Sequence, residues 1–478
     1  MSPDVPPVHL PTRTKILYGI GSVAYGVKDN GFQFFLLLYY NQVLGLPQEW
    51  VGLGIMVALL VDAFIDPLVG YLSDHWHSRW GRRHPFMYAA ALPVAGAYWL
   101  LWSPPTGLSH AQLTAYFIAV AVLVRVFITF YEIPSASLVP ELTDHYDERT
   151  AILGFRFFFG WWGGLTMAVS AYAFFLQPDA SHPTGVLNPE GYHHYGVAAS
   201  IIMLVTILVS AIGTHGYIPQ LRRPPARGAH GVAEIFRQMV ETLSNRSFVA
   251  LFVAGVFGAM GVGISSALAI YINTYFWELS SDQLSVLTLP LFVSALLAVA
   301  LAAPLSIRLG KKRAAIAVSV AALVLSPAPI ALRLVGLFPA NDTPFLLPAV
   351  VLFTIASVTL FITSSILTAS MVADLAEDSE VTTGRRSEGV FVAANMFVQK
   401  SVSGIGIFGS SLLLGLVGFP RDAKPGAVDP AVIWRLGFVY VTLLVTVYAI
   451  AIACLSSYRI SRESHEANLR RLASGGSR

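Results

Sequence analysis

Apolar runs long enough to cross about 30 Å of hydrocarbon recur along almost the whole chain. This recurrence limits the fold more than any other feature, because a backbone in lipid must satisfy its own hydrogen bonds, and a helix does so within one segment. Twelve such runs are expected, at 16–44, 50–74, 84–103, 111–139, 151–177 and 196–219, then at 247–276, 283–305, 313–335, 343–371, 387–418 and 431–458. Composition agrees. Of 478 residues, 55% are hydrophobic and 12% charged, about half the charged fraction of a soluble domain, and mean hydropathy is +0.64. The chain therefore reads as an all-α membrane protein. A net charge of +3 is too small for a nucleic-acid binder. The single cysteine, Cys454, excludes an internal disulfide and a multi-cysteine metal cluster. The opening MSPDVPPVHLPTRTK has no short apolar region with a cleavage site, so the first run is expected to serve as insertion signal.

The loops alternate in charge. Arg79, Arg82 and Arg83 follow the second run, Arg149 the fourth, and Arg222, Arg223 and Arg227 the sixth. Arg308, Lys311, Lys312 and Arg313 follow the eighth, Arg385 and Arg386 the tenth, and a basic tail the last. The opposite loops carry little Arg or Lys beyond Arg421 and Lys424. By the positive-inside rule both termini are expected in the cytoplasm, and an even number of spans agrees with that. The turn RWGRR at 79–83 is echoed by RLGKK at 308–312, in the equivalent loop of the second half. Two six-helix bundles are expected, 1–219 and 247–458, with a cytoplasmic linker at 220–246, a cytoplasmic tail at 459–478, and a site between the halves as in repeat-built transporters.

Charges within the apolar runs are costly and mark pairing or function. Asp62 and Asp66 lie four apart on one helical face. Two neighbouring carboxylates repel unless a cation or proton separates them. The pair reads as a coupling-cation site, against the plainer alternative of a structural pair sharing a proton. Span four adds Arg125, Thr129 and Glu132, with Thr129 and Glu132 able to face one site. Arg125 is expected to neutralise Glu132 or another acid. Lys28 and Asp29 lie on span one, Arg156 on span five, and Asn395, Gln399 and Lys400 on span eleven. Tyr25, Trp161 and Trp162 are candidates for stacking on sugar rings or acyl chains. Asp74 is expected to clamp the turn after span two by pairing with Arg79, Arg82 and Arg83. A second gate is expected where Asp374 and Glu377 face Arg385.

The segments KILYGIGSVAYGVKDN, DAFIDPLVGYLSDHWHSRWGRRHPF, YEIPSASLVPEL, GFRFFF and ADLAEDSEVTTGRRSEGVFVAANMFVQK occur in order along the chain. On them the sequence resembles the glycoside–pentoside–hexuronide:cation symporter family of the major facilitator superfamily. The resemblance implies the major facilitator fold, with twelve transmembrane helices in two bundles, and cation-coupled uptake by alternating access. It implies that Asp62, Asp66 and Thr129 bind the cation, with Glu132 beside them. Asp62 and Asp66 are then metal ligands if the coupling ion is sodium, and the alternative ion is a proton. Asp29 and Arg156 match residues that bind sugar hydroxyls, and Lys400 a lysine tied to the polar core. Tyr25, Glu132 and Gln399 complete the expected substrate contacts.

Three positions depart from the family's melibiose-carrying members. Glu132 stands in place of an aspartate, Ala136 in place of a sugar-stacking tryptophan, and Ile65 in place of an asparagine near the cation. Arg125 adds a charge to span four. A different glycoside, a uronate or a larger amphiphile then becomes a candidate substrate.

The resulting expectation is a multi-pass inner-membrane symporter for a sugar or glycoside, driven by Na⁺ or H⁺, with no cofactor and no obligate protein partner beyond the lipid bilayer. The alternatives are a cation-coupled carrier of a lysolipid or other amphipathic solute, and a non-transporting sensor. An enzyme is not expected, since no nucleophile or metal constellation and no phosphate-cradling loop is present.

Overall fold

The computed structural model describes residues 10–143, 146–221, 246–383, 388–420 and 423–457. Among these residues the regular structure is helical throughout and contains no strand. The chain divides into two compact units, Met1–Ala229 and His230–Arg478. The division falls within the stretch read as a linker.

In the first unit, α1 (Thr12–Ile20) and α2 (Ser22–Asn30) run on through a π-helical turn at Gly31–Phe35, the short α3 (Leu36–Leu38) and a second π-helical turn at Tyr39–Val43. Next come α4 (Gln48–His75), α5 (His84–Trp102), α6 (His110–Leu142), α7 (Tyr146–Ser170) and α8 (Pro189–His215). In the second unit, α9 (Arg246–Tyr271) precedes α10 (Ser281–Thr288), α11 (Pro290–Leu309), α12 (Lys311–Leu325) and α13 (Ala328–Leu334). The chain then forms α14 (Leu346–Thr383), α15 (Glu388–Leu416) and α16 (Pro430–Ser456).

Each of the twelve expected runs falls on helix. Nine helical stretches among the described residues are long and apolar enough to cross a bilayer. The first run is broken into the short segments above. The third, α5, has 19 residues, and the apolar part of the eleventh is Lys400–Leu416. Large apolar side chains stand on the outside of both units, among them Leu92, Phe174, Val299 and Leu352. Water would oppose this arrangement and lipid favours it.

Glycines set the closest helix contacts. A Cβ on Gly26 of α2 would strike the carbonyl oxygen of Gly160 on α7, and one on Gly164 would strike that of Gly26. In the second unit, a Cβ on Gly263 of α9 would strike the Ser403 carbonyl, and one on Gly406 of α15 that of Met260. Small residues let the backbones touch, the usual means of helix association where no water is expelled. The first and fifth spans of each unit are therefore locked together in the same way. Both first spans also end in a π-helical turn, Tyr39–Val43 in one and Ile272–Phe276 in the other. Such turns recur at functional sites.

An aromatic core steadies the end of α2. Trp102 stacks on Tyr192 at 5.7 Å. The Tyr98 and Tyr195 hydroxyls lie 2.9 Å apart, and Tyr98 donates to the Val27 carbonyl at 3.3 Å. The side chain next along the chain, Lys28, is thereby held at the centre of the charged cluster.

Candidate functional site

Three helices bring the charges of the first unit together. Asp62 and Asp66 lie one turn apart on α4, and Arg125 and Thr129 one turn apart on α6, so these faces meet where α4 packs along α6. Thr129 Oγ1 is 2.9 Å from Asp62 Oδ1, 3.2 Å from Asp66 Oδ1 and 3.0 Å from the Arg125 carbonyl oxygen. A hydroxyl has one proton to give. It serves these three acceptors one at a time and ties the acid pair into a single unit. Pro67 lies inside α4 without ending it. Lacking an N–H, it leaves the carbonyl one turn back, that of Ala63, without its helical donor. In sequence, Ala63 falls between the two acids.

Arg125 answers the question left open by the sequence. Its Nη1 lies 3.2 Å from Asp62 Oδ2 and 3.7 Å from Asp29 Oδ1, and its guanidinium carbon is 4.5 Å from the centre of the Phe32 ring. Glu132 instead pairs with Lys28, at 3.9 Å. Lys28 also reaches its neighbour Asp29 at 2.7 Å. The Asp62 side chain is 1% exposed and that of Asp29 44%. The cluster therefore joins a sealed carboxylate, Asp62, to an accessible one, Asp29. Removing one member of such a buried pair costs about 3–5 kcal/mol, chiefly by stranding the other charge.

Arg156 forms a second centre on α7. Its Nη1 donates to the Tyr18 hydroxyl at 3.2 Å and to Ser135 Oγ at 3.4 Å. Its guanidinium carbon lies 5.1 Å from the Tyr25 ring centre, and the Tyr25 hydroxyl donates to the Arg156 carbonyl at 3.4 Å. Thus Tyr25 and Arg156 meet, with Tyr18 and Ser135 as partners that the sequence reading did not single out. The close contact at Gly26, Gly160 and Gly164 places them there.

The expected clamp forms, with an additional member. Arg83 pairs with Asp74, and its Nη1 donates to Ser73 Oγ at 2.7 Å. Arg82 Nη1 is 3.8 Å from Asp74. Both arginines also hold Glu141 at the end of α6, Arg82 at 2.7 Å and Arg83 at 3.2 Å. Glu141 closes the YEIPSASLVPEL segment; an acid where an apolar run meets a basic turn is the signal that could have found it. Arg79 departs from expectation. Its guanidinium lies over Trp80 at 5.7 Å. Gly81, with φ of 73°, turns the chain between Arg79 and the two arginines that clamp.

In the second unit, Lys400 lies on α15. The side chains of Asp374, Glu377 and Gln399, and all of Arg385, lie outside the described residues. A cavity of about 400 Å³ sits among α9, α12, α14 and α16. Ser265, Ser319, Ser364 and Tyr448 supply hydroxyls to its lining, and no charged residue lines it.

Comparison with known proteins places these observations. An uncharacterised symporter of Synechocystis, sll1374, is 25% identical, covering 89% of this chain and 90% of its own. The isoprimeverose transporter of Lactiplantibacillus pentosus is 24% identical over 87% of this chain and 83% of its own. The mouse sphingosine-1-phosphate transporter MFSD2B is 25% identical over 84% and 80%. Among solved structures, the inward-open xylose transporter XylE of Escherichia coli superposes with a TM-score of 0.62 at 14% identity, covering 95% of this chain and 98% of that one. The MFS/sugar transport protein family matches residues 17–462, and the chain belongs to it: it is a multi-pass membrane transporter of the major facilitator superfamily, not an enzyme.

Proposed function

We propose that the chain is a secondary symporter that couples uptake of a sugar or glycoside to entry of a cation, sodium or proton, by alternating access. The observation that carries this reading is the continuous cluster Glu132–Lys28–Asp29–Arg125–Asp62–Thr129–Asp66. Asp29 belongs at once to the accessible part of the cluster and, through Arg125, to the sealed Asp62. A substrate hydroxyl donating to Asp29 weakens its hold on Arg125 and Lys28, and so changes the field at Asp62. A cation arriving at the acid pair acts in the reverse direction. Linkage between two sites is reciprocal, as symport requires. Arg156, held over Tyr25 by Tyr18 and Ser135, supplies donors for the substrate's oxygens.

Relatives support this reading: one carries isoprimeverose, another is described as a symporter. In it, the chain resides in the cell inner membrane with both termini in the cytoplasm, and the clamp of Asp74, Glu141, Arg82 and Arg83 closes the cytoplasmic end of the first unit. A second reading, a cation-coupled carrier of a lysolipid or other amphipathic solute, draws on the sphingosine-1-phosphate relative and on Ala136, where a ring-stacking side chain is missing. The test is reconstitution into liposomes, with labelled glycosides and lysolipids offered under separately imposed sodium and proton gradients. Accumulation of a glycoside under either gradient supports the first reading. Accumulation of lysolipid alone selects the second, and accumulation of neither turns the chain into a sensor.

A further inference from the structure

The acids that the family resemblance assigns to a sodium ion already have a cation. Asp62 is sealed, and both of its oxygens are engaged: Oδ1 lies 2.9 Å from the Thr129 hydroxyl and Oδ2 3.2 Å from Arg125 Nη1. Arg125 cannot swing aside into water. Its side chain is 6% exposed and is held by Asp62, by Asp29 at 3.7 Å and by the Phe32 ring at 4.5 Å. A metal ion on Asp62 would lie a few ångströms from this fixed positive charge. At such a distance, in partly buried surroundings, like-charge repulsion lowers affinity on the order of a hundred- to a thousandfold.

The rest of the ligand set is thin as well. A hard cation of this kind takes several oxygens at once. Between the two acids stands Ile65, whose side chain has no oxygen to offer a cation. Lys28, 1% exposed, supplies a second built-in positive charge between Asp29 and Glu132.

We infer that Arg125 is a tethered cation standing in place of a metal ion at Asp62, so that the acid pair on α4 does not bind sodium and transport by this chain does not depend on it. The inference deepens the symport reading, and only its transport arm rests on that reading.

The test compares the purified full chain in sodium chloride and in potassium chloride at equal ionic strength. Wild type is expected to show the same Tm in both salts. In Arg125→Ala, the vacated acid pair is expected to gain a sodium-specific rise of about 2–4 °C. Asp62→Asn added to that variant removes the rise, and Arg125→Lys, which keeps a tethered charge, never shows it. A sodium-specific rise in wild type overturns the inference, as does its absence from Arg125→Ala. Should Arg125→Ala fail to fold in either salt, Arg125→Gln, with a neutral side chain nearly as long, carries the same arm. In liposomes, sodium-driven accumulation by wild type overturns the inference while supporting symport. Accumulation under neither gradient overturns symport, and the Tm comparison still decides the role of Arg125.

Discussion

The two units share a scaffold and differ in chemistry. In each, glycines bring the first span against the fifth, Gly26 with Gly160 and Gly263 with Gly406, and in each the first span ends in a π-helical turn. Yet the first unit carries Lys28, Asp29, Asp62, Asp66, Arg125, Glu132 and Arg156 within its helices, while the cavity of the second is lined by hydroxyls and apolar groups. The repeat thus fixes backbone approach and leaves side-chain chemistry free to diverge. Among the described residues, the linked charges lie in the first unit, and the second unit's cavity offers hydroxyls and apolar groups.

The largest effect that tests this contrast is expected from Asp66→Asn. Removing one carboxylate of the pair should cut gradient-driven accumulation by roughly 100-fold, with insertion and fold retained, as read by vesicle uptake and by gel filtration in detergent. Normal driven uptake would remove the acid pair from the coupling site. The shared scaffold is tested next by Gly26→Val and Gly263→Val. Each drives a side chain into a backbone carbonyl and should cost about 3 kcal/mol, seen as a drop in Tm. Equal losses support equivalent packing in the two units; a loss confined to one would break the comparison at its root.

Arg156→Ala should weaken substrate binding by roughly 10-fold or more, the usual cost of losing a charged hydrogen-bond donor, measured by titration of tryptophan fluorescence. Arg156→Lys should restore little of it, because an ammonium does not reproduce the planar fork that reaches Tyr18 and Ser135 together. Unchanged affinity in both variants would make Arg156 a purely structural link between α7 and α6.

The fold was legible because hydrophobic length and loop charge are local properties. RWGRR and RLGKK mark equivalent turns with no knowledge of packing. The acid pair was legible for the same reason, since four-residue spacing fixes a common face. What spacing does not fix is the partner across a helix interface. Arg125 stands seven residues before Glu132 on the same face, yet it turns to Asp62 and Asp29, while Glu132 goes to Lys28. Glu141 escaped notice because it joins a basic turn more than fifty residues away in sequence. The second unit's cavity left no signal, because scattered serines in apolar helices read the same whether they bond their own backbone or line a space.

The smallest effects are expected in that cavity. The Ser319 and Ser364 hydroxyls lie 2.7 Å apart across α12 and α14. Ser319→Ala and Ser364→Ala should each change stability by about 1 kcal/mol. The double variant should cost less than the sum, since once one hydroxyl is gone the other has already lost its partner. If the cavity also touches substrate, glycoside affinity should fall a few-fold in each single variant while the preference for one driving ion stays as in wild type. A change in ion preference from these two serines would place ion handling in both units.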